Sequence, residues 1–219
     1  MSNRDRWTFT HAIGAACDKV ILLIVRALAL SRIHPNVLTF IGLLVNGGAA
    51  ALLASGRFFT AGLVIIAAGL FDMVDGRVAR ETNRVTRFGG FFDSVLDRYS
   101  DLVLLMGLLV YYASINRYFY VVLTAVVMTG SVMVSYTRAR AECTIPLCKV
   151  GFMERPERLV LLIIGAAFGR MAQVLWVIAL LANLTVIHRM LYTWRETRLL
   201  EAPNRRPQTR EVAANSRAR

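Results

Sequence analysis

The sequence predicts an all-α integral membrane protein of six transmembrane helices, preceded by an amphipathic helix lying in the membrane interface. Three observations predict it. The 219 residues are 56% hydrophobic and only 18% charged, with a mean hydropathy of +0.52, whereas soluble domains are roughly one-quarter charged. Six apolar stretches approach the roughly 20 residues that a bilayer-spanning helix needs. Basic residues gather in alternate connections between those stretches, the arrangement expected of a chain that crosses a bilayer repeatedly.

Taken in order, segment 1–34 comes first. Asp18 and Lys19 interrupt MSNRDRWTFTHAIGAACDKV, so no cleaved signal peptide is expected. From Phe9 to Leu30, Asp18, Lys19 and Arg26 stand among Ile, Leu and Val, the pattern of a helix lying in the interface. A seventh span there would bury three charges. The six spans follow over residues 35–200, at Asn36 to Leu53, Phe59 to Val74, Phe91 to Tyr112, Tyr118 to Tyr136, Leu159 to Phe168 and Met171 to Tyr192. The fifth reaches spanning length only by extending back through GFMERPE. From Glu201 to residue 219 the tail is polar, basic and proline-containing, a composition that predicts disorder.

Charge sets the orientation. Of the 26 basic residues, all but Arg57, Arg117 and Arg170 lie in the N-terminal segment, the second-to-third connection, the fourth-to-fifth connection, or the end of the last span and the tail. Positive charge stays cytoplasmic, so both termini and the second-to-third connection are expected on the cytoplasmic side of a multi-pass cell-membrane protein. The net charge of +12 thus follows topology rather than forming one stripe, and no nucleic-acid partner is expected. Cys17, Cys143 and Cys148 form no CxxC pair and read as small apolar residues rather than metal ligands.

Residues 71–101, FDMVDGRVARETNRVTRFGGFFDSVLDRYSD, hold five of the seven aspartates. Asp72 and Asp75 are three apart, Asp93 and Asp97 four apart, so each pair shares one helical face. Four carboxylates at a membrane edge require compensating cations, and oxygen ligands without histidine or thiolate favour Mg²⁺, Mn²⁺ or Ca²⁺ over zinc. Gly76, Ala79 and Gly89 stand one turn from these acids and add no bulk. Close helix packing is the other use of such small residues. Arg77, Arg80, Arg84 and Arg87 complete surroundings suited to a polyanion such as a diphosphate. Asp101 either extends the cluster or pairs with Arg98, and is left outside the metal shell. A cation transporter is the competing reading. It predicts midplane carboxylates and needs neither Gly76, Ala79 nor Arg80.

These residues spell D-x-x-D-G-x-x-A-R-x8-G-x3-D-x3-D through Asp72, Asp75, Gly76, Ala79, Arg80, Gly89, Asp93 and Asp97. The pattern resembles the signature of the CDP-alcohol phosphotransferases, membrane enzymes of phospholipid synthesis, and "HPNVLT" entering the first span extends the likeness over most of the chain. The resemblance implies that Asp72, Asp75, Asp93 and Asp97 hold a pair of divalent ions, Mg²⁺ or Mn²⁺. It implies that Asp93 and Asp97 are catalytic, Asp97 as the base that deprotonates the acceptor hydroxyl. Asp72, Gly76, Ala79, Arg80 and Gly89 would bind the CDP moiety. Transfer of a phosphatidyl group from CDP-diacylglycerol to an alcohol, with release of CMP, and a homodimeric assembly are likewise implied.

The acceptor is read from the second basic cluster. Arg138, Arg140, Arg155 and Arg158 fall in SYTRARAECTIPLCKVGFMERPERLV, and Arg189 closes the last span. A neutral amino alcohol would not call for so many guanidinium groups; a phosphate monoester would. The competing use of these residues is topology and contact with lipid headgroups. RARAE followed by ERPERLV also resembles the subset that uses inositol phosphate, whose acceptor pocket would fall on Arg138, Arg140, Arg155 and Arg189. Position 138 is arginine where that subset often has lysine. Inositol 1-phosphate is therefore the expected acceptor, with glycerol 3-phosphate the alternative.

Overall fold

The computed structural model describes residues 35–81 and 86–201; at Pro35, Phe71 and residues 73–81 it describes the backbone alone. The interfacial helix expected over Phe9 to Leu30 and the tail beyond Glu201 lie outside the described residues. Those residues form six α-helices and no strand: α1 Pro35–Ala54, α2 Phe58–Glu81, α3 Arg87–Ser114, α4 Tyr118–Ala141, α5 Arg155–Ala167 and α6 Met171–Glu201. A helix coincides with each of the six apolar stretches.

Local chemistry explains the boundaries. α1 opens on Pro35, whose missing N–H costs nothing in a first turn. Three connections share one closure. At the end of α1, Arg57 N–H donates to Leu52 O (2.9 Å) and Gly56 N–H to Leu53 O (3.0 Å), with Gly56 at φ 76°. At the end of α3, Arg117 N–H donates to Tyr112 O (2.9 Å), with Asn116 at φ 56°. At the end of α5, Arg170 N–H donates to Gly165 O (2.8 Å), with Gly169 at φ 62°. Each is a Schellman-type stop with a left-handed residue. The next helix begins at once, so the joined helices run antiparallel. The three arginines isolated in sequence are the residues that close these turns.

Among the described residues, three helices are long and apolar enough to cross a membrane: Asn36–Ala54 in α1, Tyr118–Ala141 in α4 and Met171–Glu201 in α6. Their outward faces carry large apolar side chains such as Leu44, Val122, Trp176 and Leu180, as a lipid-facing surface would. α3 has 28 residues but bears Asp93, Asp97, Arg98 and Asp101 along its N-terminal portion. α5 has 13 residues, about 20 Å of helix, against a hydrocarbon core of about 30 Å.

The described residues divide into two compact units with the boundary at Gly107, inside α3. In the first, α1 packs along α2, burying Ala49, Leu53, Ala61, Ile65 and Ala68. Gly107 lets α3 meet α1 backbone to backbone, since a methyl there would collide with the Ala50 carbonyl. In the second, α6 packs against both α4 and α5. Gly130 faces Ala182 and Gly165 faces Val174, the small residues through which apolar helices approach closely. Cys148 is fully buried in a cluster with Ala141 and Ile145, whereas Cys143 is exposed.

Candidate active site

In the first unit the acids come from two helix ends. α2 runs unbroken through positions 72 and 75, and α3 begins shortly before positions 93 and 97. Thr86 starts α3: its Oγ1 accepts from Gly89 N–H at 2.9 Å and its carbonyl from Gly90 N–H at 3.1 Å, satisfying donors that a helix start leaves open. Asp72, Asp93 and Asp97 are half-buried, and each is engaged in a polar or electrostatic interaction. Asp101 is buried. The side chains of Asp75, Gly76, Ala79 and Arg80 lie outside the described residues. Among the described residues, no three His, Cys, Asp or Glu side chains are grouped to hold a metal ion.

α1 forms a further wall that sequence reasoning missed. A Cβ at Gly42 would stand 3.0 Å from Asp72 Oδ1, and one at Gly89 would stand 2.9 Å from Thr86 Oγ1 and 3.5 Å from Asn36 Oδ1. Glycine at 42 therefore keeps α1 clear of the Asp72 carboxylate, and glycine at 89 leaves room for the Thr86 hydroxyl at the start of α3. One turn beyond Gly42, Asn46 is 3% exposed. Its Nδ2 donates to Gly42 O at 3.1 Å, while its Oδ1 is buried without a hydrogen-bond partner. The donors that α2 and α3 present are carboxylate oxygens, the set that suits a hard divalent cation.

The second unit holds the five arginines. Arg138, on α4, donates through Nη1 to Glu154 Oε1 at 3.1 Å and through Nε to Glu142 Oε1 at 3.1 Å. Arg189, on α6, is 1% exposed. Its guanidinium donates to Val150 O at 2.7 Å, to Val134 O at 2.6 Å and to Glu154 Oε1 at 2.9 Å. Arg155 is the first residue of α5, and Arg158, one turn on, is buried. Arg140 is exposed and lines a cavity of about 310 Å³ with Tyr136, Thr137, Thr193, Trp194 and Arg189. The structure thus brings Arg138 and Arg189 onto one carboxylate and sets Arg140 on a cavity that Arg189 also lines.

Segment 150–154 is fastened from behind. Thr185 Oγ1 accepts from Phe152 N–H (3.2 Å) and Met153 N–H (3.1 Å), and Gly151 takes φ 125°. Glu154 then caps α5 in a capping box with Glu157. Its E-x-x-E spacing was visible in ERPE, but no sequence signal joined it to Arg189.

Residues 32–198 match the protein-family model described as CDP-alcohol phosphatidyltransferase. The chain is 37% identical over 164 residues to an archaetidylinositol phosphate synthase of Methanothermobacter thermautotrophicus, a match covering 72% of this chain and 82% of that protein. It is 33% identical over 191 residues to a phosphatidylinositol phosphate synthase of Mycobacterium tuberculosis, covering 82% and 88%. Crystal structures of the Mycobacterium tuberculosis phosphatidylinositol phosphate synthase are similar in fold. The form with CDP-DAG bound superposes with a TM-score of 0.75 at 30% identity, over 80% of this chain and 94% of that one. The complex with manganese and citrate gives 0.74 at 32% identity, over 80% and 88%.

Proposed function

The chain belongs to the CDP-alcohol phosphatidyltransferase family, and on that premise we propose that it transfers the phosphatidyl group of CDP-diacylglycerol to inositol 1-phosphate, giving phosphatidylinositol phosphate and CMP. The observation that carries this reading is the pair of acid-bearing helix ends, α2 with Asp72 and Asp75 and α3 with Asp93 and Asp97, in a chain whose relatives are named for inositol phosphate products. Asp72, Asp75, Asp93 and Asp97 are the residues that would hold two divalent ions, Mg²⁺ or Mn²⁺. Bound there, such ions supply neutralisation of the diphosphate and stabilisation of the leaving nucleotide.

The chain's own groups do the rest. Asp97 takes the proton of the acceptor hydroxyl as the new phosphorus–oxygen bond forms and the bond to CMP breaks. A carboxylate is a modest base, so its contribution lies in placement. Asp72, Gly76, Ala79, Arg80 and Gly89 bind the CDP moiety, the small residues by leaving room for it. Arg138, Arg140, Arg155, Arg158 and Arg189 receive the acceptor phosphate. Six membrane-spanning helices, a cytoplasmic active site, cytoplasmic termini and a homodimer complete the reading, supported by basic-residue alternation and family resemblance.

The test is CMP release by purified protein with CDP-diacylglycerol and Mg²⁺ or Mn²⁺, comparing inositol 1-phosphate, glycerol 3-phosphate, serine and free inositol. Inositol 1-phosphate is expected to be preferred, and Asp93→Asn to abolish release. Preference for glycerol 3-phosphate would reassign the acceptor within the phosphate monoesters. Preference for serine or free inositol would defeat the phosphate-pocket argument.

A further inference from the structure

We propose that Glu154 is a positioning residue for acceptor binding: its carboxylate transmits the placement of the buried Arg189 to Arg138 and to the first turn of α5, where Arg155 stands. This role rests on the reading of the arginine cluster as the acceptor-phosphate side of the enzyme.

Three elements converge on this side chain. Its Oε1 receives Arg138 from α4 at 3.1 Å and Arg189 from α6 at 2.9 Å. Its carboxylate also accepts from the Glu157 backbone, while its own N–H donates to Glu157 Oε2 at 3.0 Å, closing the capping box of α5. The exposures differ in a telling way. The Arg189 side chain is 1% exposed, against 43% for Glu154 and 37% for Arg138. Arg189 is enclosed, and its guanidinium is spent on Val150 O, Val134 O and Glu154. It lines the cavity beside Arg140 with its guanidinium engaged on three partners, and it also acts through what it holds.

What it holds is the half-exposed end of the network. A buried guanidinium without an anion is costly, so Arg189 and Glu154 fix each other. Glu154 in turn orients Arg138, whose Nε is held by Glu142, leaving part of its fork facing solvent. The same carboxylate sets the start of α5 and hence the position from which Arg155 projects. An acceptor phosphate meeting Arg138 and Arg155 would find their spacing already set, which lowers the ordering cost of binding.

Glu154→Gln tests this with least disturbance, since it keeps shape and an accepting oxygen but removes the charge. Initial rates of CMP release would be measured while varying acceptor and CDP-diacylglycerol separately, with the thermal midpoint in detergent as a check on folding. The expected result is an acceptor KM raised about tenfold, with kcat and the CDP-diacylglycerol KM within about twofold of wild type. Glu154→Asp, which keeps the charge on a shorter stem, is expected to fall between Gln and wild type. A folded Glu154→Gln enzyme with wild-type acceptor KM would overturn the proposal. So would an equal rise in both KM values, or a lowered midpoint with unchanged kinetics, the mark of a purely structural residue. Should Glu154→Gln fail to fold, the Glu154→Asp kinetics decide by the same criteria. A wild-type enzyme that prefers serine or free inositol would show instead that the underlying acceptor reading fails, and this role would go with it.

Discussion

Gly42 and Asp72 are far apart in sequence, yet only the hydrogen at the Gly42 α-carbon leaves space for the Asp72 carboxylate. A methyl at 42 would lie 3.0 Å from Oδ1, tighter than ordinary contact, so the carboxylate would give way by a few tenths of an ångström. As the metal ligand proposed above, Asp72 would tolerate little of that. Gly42→Ala is expected to raise the divalent-ion concentration for half-maximal CMP release by about three- to tenfold, a magnitude in keeping with small misplacements of functional groups. The control lies on the same helix. Nothing comes within 4 Å of a Cβ at Gly47, so Gly47→Ala should leave the metal titration unchanged. At this scale the acid pairs were legible because helical spacing is local. Gly42 and Glu154 were not, because their roles depend on neighbours from other helices; Glu154 meets an arginine 35 positions away.

Among elements, the helix stops and the 142–154 connection separate two kinds of glycine. Gly169 has φ 62° with nothing near its missing Cβ, whereas Gly151 has φ 125° and a Cβ there would lie 2.5 Å from Thr185 Cγ2. Alanine at 169 faces only the conformational penalty of a left-handed residue, about 1 kcal/mol. Alanine at 151 faces a rarer conformation and a collision, for which strained positions indicate roughly 1–3 kcal/mol or more. Denaturation of the two variants in the same detergent should rank Gly151→Ala as clearly the less stable. The six helices were legible from hydropathy, and three of them end at a left-handed glycine or asparagine. The brace that Thr185 and Arg189 place on segment 150–154 was not, because a connection's shape is set by what it packs against.

Across the whole molecule, the distribution of basic residues yields a topology that a native cysteine can test. Cys143 is exposed and Cys148 is buried, both in the basic connection assigned to the cytoplasmic side. A membrane-impermeant maleimide applied to right-side-out vesicles should leave Cys143 unmodified and react with it once the vesicles are inverted. Cysteines introduced for Arg57, Arg117 or Arg170 should behave in the opposite way. Labelling of Cys143 from outside would reverse the orientation. By itself, the sequence determined the helical class, the order and approximate limits of the helices, and which helix ends bear acids. These follow from composition and from spacing along one dimension, where each residue needs only its near neighbours. Tertiary structure alone decided that α1 walls Asp72, that Arg189 is enclosed while Arg140 opens onto a cavity, and that one glutamate joins three helices. Such relations arise when distant segments pack and each guanidinium or carboxylate takes whatever partner that packing brings within reach.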